Sequence, residues 1–226
     1  MHFHLPKPLH GWREFAGEVG IIVVGVLIAL AAEQVVEDWS WKNRVHQAEA
    51  SMEKEIADDD GPQAYERLAM RPCIARELDQ AEQALIAERD SGSPFVPQPL
   101  TAPPFRTWDE NSWLAAVSSQ ATSHMPTKRM YDWSAPFSLI PDMNEASLRE
   151  TQDWAELERI GTVAKHPSEA QRERIMAALA RARQDNELLT FLARFFVHYA
   201  SAAGVTVPNA ERLAAVRRLP SALRGC

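Results

Sequence analysis

The chain has 226 residues, 46% of them apolar, with 24 Lys and Arg against 31 Asp and Glu and a formal net charge of −7. This is the composition of an ordinary folded chain, which excludes wholesale disorder and a multi-span membrane protein. The acidic balance argues against nucleic acid as a partner, because binding to a phosphate backbone needs a basic surface. With only two cysteines, a disulfide scaffold and a cysteine-rich metal site are also excluded.

The first predicted element is an apolar segment near the N-terminus. Residues 19–32 read VGIIVVGVLIALAA and contain no polar side chain. A helix needs roughly 20 residues to cross the hydrocarbon core of a bilayer. Residues 15–36 reach that length if Glu18, Glu33 and Gln34 lie near the membrane interfaces, where polar groups cost less than at the midplane. The sequence therefore predicts a transmembrane helix over residues 15–36.

A cleaved signal peptide is the main alternative for this segment. Residues 29–31 read Ala-Leu-Ala, which resembles a small-x-small cleavage site after an apolar run. Two observations favour an uncleaved anchor. Apolar residues continue beyond this site, and Glu14 and Glu18 lie at the start of the run, where a signal peptide prefers basic charge. Trp12 and Trp39 also flank the segment at about the spacing of the two headgroup regions, where Trp is enriched, which fits a membrane span.

The orientation of the predicted anchor follows from its flanks. Lys7 and Arg13 precede the segment and Lys42 and Arg44 follow it, so the positive-inside rule is nearly balanced. A short N-terminal tail, residues 1–14, is typical of a signal-anchor and is expected in the cytoplasm. The rest of the chain is then expected in the periplasm.

The same segment resembles a known family. Residues 17–19 read GEV, residues 25–30 read GVLIAL, and residues 33–34 are a polar pair. This order is similar to the N-terminal signature of a family of bacterial single-pass membrane proteins of uncharacterised function, Gly-Glu-Ile, an aliphatic stretch, Gly-Ile-Leu-Ile-Ala-Leu and a polar segment ending in Trp. This chain departs from the signature at two places: it has Glu33 and Gln34 where the family has a pair of amides, and it has Val35 where the family has the next Trp. The resemblance implies an anchored helical domain and supplies no catalytic residue.

One face of the predicted anchor carries small residues. Glu18, Gly25, Ala29 and Ala32 recur at helical spacing, and Gly25 with Ala29 forms a small-xxx-small pair that allows close approach of a second helix. This pattern predicts a homodimer through the transmembrane helix. The alternative is the ordinary Gly and Ala content of such helices together with an interfacial Glu.

Residues 37–90 are predicted to form an acidic stalk and a helical hairpin. Residues 58–60, three consecutive aspartates, are expected to be a solvated helix end. Residues 61–62, Gly-Pro, are expected to turn the chain back. The second helix is then predicted over residues 63–89, broken or kinked at Pro72.

A proline-rich connector over residues 91–106 is predicted to lead into a helical domain over residues 107–226. Thr107 and Glu110 have the spacing of a capping box, which predicts a helix from there through residue 123. Two helices are expected over residues 127–163, because prolines interrupt that region.

Ser168 and Gln171 form a second capping box, which predicts the start of the longest periodic helix. Gly204 offers its C-terminal stop, and a short helix is expected over residues 210–218. No segment shows convincing strand alternation. The predicted fold class is all-α, a transmembrane helix continuing into a stalk, followed by an antiparallel helical bundle.

Two groups of residues are candidate sites. Five aromatic side chains crowd into a short stretch and form either a ligand pocket or simply core: Trp108, Trp113, Tyr131, Trp133 and Trp154. Cys73 and Cys226 are expected either to pair in an oxidising compartment or to remain free thiols.

No catalytic, metal-binding or cofactor-binding motif is present in the sequence, so no enzyme activity, metal or cofactor is expected. The favoured interpretation is an inner-membrane, single-pass protein whose periplasmic domain is an interaction or scaffold module for an unknown membrane or periplasmic protein. One alternative is a ligand-sensing domain that signals through a membrane partner. The other is a secreted helical protein with a cleaved signal.

Overall fold

A computed structural model describes residues 11–96, 100–160 and 165–225. Within these ranges the chain forms seven α-helices and no strand, which confirms the all-α prediction. Residues 1–10 of the predicted tail lie outside the described residues. The helices are α1 (Trp12–Glu55), α2 (Gly61–Ser91), α3 (Asn111–Ser118), α4 (Thr127–Phe137), α5 (Ile140–Ile160), α6 (Glu169–Ala202) and α7 (Asn209–Arg218).

The chain divides into two compact units, Met1–Gln47 and Ala48–Cys226. The first unit contains the apolar part of α1. An 18-residue window there has a mean hydropathy of 2.4, and none of it is buried within the chain. Among the residues that the structure describes, one helix is thus long and apolar enough to cross a membrane, and it lies where the sequence predicts it.

In the second unit, the predicted hairpin at residues 61–62 is wrong. A π-helical turn, Ile56–Asp60, joins the end of α1 to the start of α2, and the backbone stays right-handed helical at Glu55 and at Gly61. The Gly61 N–H donates to the carbonyl of Ile56, five residues earlier. Pro62 lies in the first turn of α2, where a helix needs no N–H donor. Gly-Pro is thus accommodated within the helical run instead of reversing it.

Gly61 is required by a close approach and not by a turn. Its backbone is helical, but a Cβ atom there would lie 2.2 Å from Cγ2 of Val207 and 2.5 Å from the carbonyl oxygen of Ile56. The segment that follows α6 therefore packs directly on the backbone of α2. Further along, α2 continues through Pro72, so the helix is not broken there, and a kink at Pro72 stays a prediction.

The predicted start of the third helix is wrong as well. The structure has no helix at Thr107, and α3 begins at Asn111. The two N–H groups after Thr107 have distant acceptors: that of Trp108 donates to Oδ1 of Asn144 at 2.9 Å, and that of Asp109 donates to Oδ1 of Asp60 at 3.3 Å. These tertiary hydrogen bonds hold the segment in an extended path where local spacing suggested a cap.

The C-terminal predictions hold. The Ser168 side chain accepts from the Gln171 N–H and caps α6. In turn, Oε1 of Gln171 accepts from the Ser168 N–H at 2.8 Å, which completes the capping box. The helix ends at Ala202, just before Gly204, which has a φ of +92°. The two helices expected in residues 127–163 are α4 and α5, and α7 is the short helix expected near the C-terminus.

The core of the second unit is formed chiefly by α2, α5 and α6, and both α2 and α5 run antiparallel to α6. Arg71 of α2 contacts Glu187 of α6, whereas Asp79 and Glu82 contact Arg183. Apolar side chains from these helices and from the flanking segments fill the interior: Ile74, Leu78, Leu85, Phe95, Trp154, Leu157, Ile175, Leu179, Leu219 and Leu223. Phe95 belongs to the predicted proline-rich connector, whose residues 97–99 lie outside the described ranges, so part of that connector is packed into the core.

Candidate functional site

The predicted association face of the anchor is open in the single chain. Glu18, Gly25, Ala29 and Ala32 all lie on α1 and are exposed. A Cβ atom added to Gly25 would meet nothing within 4 Å. The face is therefore available to a second helix, and the predicted dimer stays a prediction.

Three of the five aromatic candidates lie in different surroundings. Trp108 packs against Phe196, with ring centroids 5.9 Å apart, and Trp113 stacks on Phe137 at 6.0 Å. Tyr131 is 64% exposed. The structure thus distributes these side chains between the interior and the surface.

The remaining two aromatic candidates are core residues. Trp133 is buried, its Nε1 donates to Oε1 of Glu49 at 3.0 Å, and Arg129 covers its ring at 5.0 Å. Trp154 is buried in the apolar interior described above. In the described part of the chain, neither of the cavities reported below is lined by any of the five aromatic candidates.

Cys73 is buried in the core on α2, and it is disulfide-bonded. The sequence contains one other cysteine, Cys226, which lies outside the described residues. The pairing of the two therefore stays a prediction.

A buried charged network lies in the second unit, Ala48–Cys226, which is called the helical unit below. Arg67 of α2, 3% exposed, donates to Oε2 of Glu150 on α5 at 2.7 Å and to Oδ1 of Asn186 on α6 at 2.8 Å. The amide of Asn186 in turn donates to the carbonyl of Arg71 at 3.3 Å. Burial raises the pKa of Glu150, and the Arg67 guanidinium opposes that rise. The network fixes the alignment of three helices, because each contributes one member.

Asp60 is a second buried acid, at the end of the π-helical turn. It is 0% exposed, and its Oδ2 has no hydrogen-bond partner. Burial is the main cause that raises the pKa of Asp60 to about 8; the N–H of Asp109 opposes this rise, and the nearby carboxylates of Glu55, Asp109 and Asp59 add to it. Asp60 is therefore a protonated acid at neutral pH, and the expectation of a solvated helix end is wrong for this residue.

A cleft of about 370 Å³ lies beside the π-helical turn. Its charged walls are largely neutralised by contacts within the chain. Arg106 donates to both carboxylate oxygens of Glu66, at 2.8 and 3.0 Å, and Lys54 pairs with Asp58. Of the charged residues that line this cleft, Asp59 and Arg218, which are of opposite sign, have no ion pair in the described part of the chain.

A smaller cavity, about 200 Å³, lies between the start of α2, the end of α6 and α7. The segment that packs against Gly61 forms one wall. Polar and apolar side chains line it in a mixture: Tyr65, Phe196, Val197, His198, Ser201, Val205, Thr206, Val207 and Arg212. No sequence motif marks this site, since Tyr65 and Arg212 are brought together only by the fold.

Arg212 is the chemically distinctive member of this cavity. Its guanidinium carbon lies 4.1 Å from the centroid of the Tyr65 ring. Its Nε is buried and has no hydrogen-bond partner. Among the described residues, no carboxylate forms an ion pair with it.

No protein-family model matches this chain, and neither the curated proteins nor the solved structures include a significant match.

Proposed function

We propose that the protein is a single-pass bacterial inner-membrane protein whose helical unit acts as an interaction or scaffold module in the periplasm. The apolar stretch of α1, none of it buried in the chain, carries the proposal. An unburied run of this length is unfavourable in water, whereas it matches the thickness of a bilayer core.

The state of Cys73 supports an oxidising compartment for the helical unit. Cys73 is disulfide-bonded, and such bonds persist in the periplasm but are rare in the cytosol. A periplasmic helical unit places the N-terminal side of α1 in the cytoplasm.

An aromatic ladder on α6 supports the interaction role. Phe191, Phe195 and Tyr199 follow one another at four-residue spacing, with ring centroids 4.5 and 5.9 Å apart. Phe191 is 54% exposed. Exposed aromatic residues of this kind are enriched at protein interfaces.

The charges around the ladder favour a protein as the partner. Glu187 and Arg194, one turn before and just after Phe191, are exposed and of opposite sign. A rim with both signs is typical of protein interfaces, whereas a surface that binds anionic lipid is dominated by Lys and Arg. The ladder is therefore assigned to a protein partner with an apolar surface.

The membrane and compartment assignments are tested on the full-length chain in cells. The protein is expected to stay in the membrane during alkaline extraction and to be degraded by protease added to spheroplasts. Intact mass spectrometry is expected to show residues 29–31 retained. Release by alkaline extraction, or a mass that corresponds to cleavage after residue 31, would instead support the secreted alternative.

The interaction role is tested with a photo-crosslinking amino acid in place of Phe191. Leu148 on α5 is a matched control, because it is 52% exposed against 54% for Phe191. We expect a discrete crosslinked product from the Phe191 position and none from the Leu148 position. The same products from both positions would show that the ladder has no specific partner.

A further inference from the structure

We propose that the cavity between α2, α6 and α7 binds a small carboxylate with an aromatic or aliphatic body, held by Arg212. This inference does not depend on membrane anchoring, because every residue in it belongs to the helical unit. It gives the ligand-sensing alternative a location in the fold.

Arg212 provides the charge for an anion. An arginine whose guanidinium is partly buried normally pairs with a carboxylate or donates to carbonyl groups, because an unpaired buried donor is costly. In the described part of the chain, Arg212 makes neither of these contacts, and its Nε is unsatisfied. The buried Nε has almost no accessible surface, so a bound carboxylate would accept from the terminal amino groups of the guanidinium and would form a charge-assisted pair there.

Tyr65 holds the guanidinium ready for such a ligand. The guanidinium carbon stacks at 4.1 Å from the Tyr65 ring centroid. Stacking uses the face of the guanidinium and leaves the N–H groups, which point outward in the plane, able to bind a planar carboxylate at two points. Arg212 therefore loses less conformational entropy on binding than an unrestrained arginine would.

The other walls restrict what the ligand carries besides its charge. Phe196, Val205 and Val207 are almost fully buried in the chain and give the cavity an apolar side. Ser201 and Thr206 add hydroxyl groups at the exposed side. A strongly hydrated anion such as phosphate would lose its water against the apolar side without compensation, whereas a carboxylate with an apolar body would bury that body there.

The volume sets the size of the ligand. At about 200 Å³, the cavity is smaller than the sites of drug-sized molecules. It suits a molecule with on the order of ten non-hydrogen atoms. Benzoate has this size, a single carboxylate and an apolar body, and benzamide is its neutral counterpart.

The test follows benzoate binding to the full-length protein in detergent micelles by NMR of labelled valine methyl groups. We expect saturable shifts at Val205 and Val207 at benzoate concentrations of about 10 mM or below. Benzamide is expected to bind at least about tenfold more weakly, because it lacks the charge that pairs with Arg212.

Two substitutions on α7 assign the effect to the guanidinium. Arg212→Met keeps the volume and removes the charge, and is expected to weaken benzoate binding at least about tenfold. Arg217→Met, an exposed position outside the cavity, is the matched control and is expected to leave binding within about twofold. Arg212→Lys keeps the charge without the planar fork, and is expected to bind more weakly than wild type and more tightly than Arg212→Met.

Three results would overturn the inference. The first is the absence of any benzoate-dependent shift at Val205 and Val207 in the folded wild-type protein. The second is equal binding of benzoate and benzamide. The third is an Arg212→Met protein that keeps its methyl spectrum and binds benzoate as the wild type does.

Discussion

The two units of the chain expose opposite kinds of residue. In the first unit, apolar side chains such as Ile21 and Ile28 are exposed by 76% and 64%, whereas in the second unit the ionisable residues Asp60 and Arg67 are 0% and 3% exposed. In water, both arrangements cost free energy. The first is relieved if a bilayer surrounds α1. The second is relieved within the fold, by a retained proton at Asp60 and by a paired carboxylate at Arg67.

The largest expected effect concerns the buried acid Asp60 of the second unit, and it is a change in the free energy of unfolding with pH. The pKa of Asp60 is about 8 in the folded chain and 3.8 as its ordinary value, so only the folded state keeps the proton between those pH values. The free energy of unfolding should therefore fall by about 1.4 kcal/mol per pH unit as pH rises from about 4 to about 8.

Asp60→Asn should remove the part of this dependence that Asp60 contributes, because the amide is neutral at every pH, and should leave the smaller part that comes from other buried acids such as Glu150. Thermal unfolding of the full-length protein in micelles at several pH values provides the measurement. Asp59→Asn, at the exposed neighbouring position, is the control: it removes one of the smaller contributions to the raised pKa of Asp60 and should keep most of the wild-type pH dependence. Parallel profiles for Asp60→Asn and the wild type would show that Asp60 is not a protonated acid in the fold.

The buried network gives the next effect. Arg67→Met leaves Glu150 buried without its partner, which should lower the free energy of unfolding by about 3–5 kcal/mol. Arg71→Met, one turn further along α2, breaks an exposed pair with Glu187 and should cost less than about 1 kcal/mol. Denaturant unfolding measures both.

A double variant separates the lost charge pair from lost packing. Arg67→Met combined with Glu150→Leu should recover much of the stability lost in Arg67→Met, because no buried charge remains unpaired. If Arg67→Met costs no more than Arg71→Met, the buried pair contributes nothing to holding α2 against α5.

The smallest effect compares a glycine from each unit. Gly61→Ala should destabilise the helical unit by about 1–3 kcal/mol, because its Cβ would overlap Val207 and the carbonyl of Ile56. The Cβ atom added by Gly20→Ala on α1 would meet nothing within 4 Å, so this substitution should leave the unfolding transition of the helical unit unchanged. Equal effects of the two substitutions would mean that the close approach at Gly61 does not exist in solution.

Local signals were enough for the elements that local contacts determine. The capping box at Ser168 and the stop at Gly204 both predicted α6 correctly, because each involves neighbours within a few residues. The equally good spacing at Thr107 failed, because the N–H groups of Trp108 and Asp109 donate to Asn144 and Asp60, and these distant contacts hold the segment outside a helix. Spacing alone could not reveal those distant acceptors.

The candidate site shows the same limit. Tyr65 and Arg212 lie far apart in sequence and meet only when α7 packs on α2. Similarly, Arg67, Glu150 and Asn186 come from three helices, and each alone resembles an ordinary surface residue. The aromatic crowding between Trp108 and Trp154 was a local pattern, and the fold spreads it over several environments.

The central claim, that lipid surrounds the apolar part of α1, is tested most directly by photolabelling. The wild-type protein is placed in vesicles that contain a phospholipid with a diazirine on its acyl chain, and labelled residues are located by mass spectrometry. We expect label within residues 19–32 and none on the buried residues Ile74, Leu78 and Trp154. An unlabelled 19–32 segment in a protein that retains those residues would contradict the account.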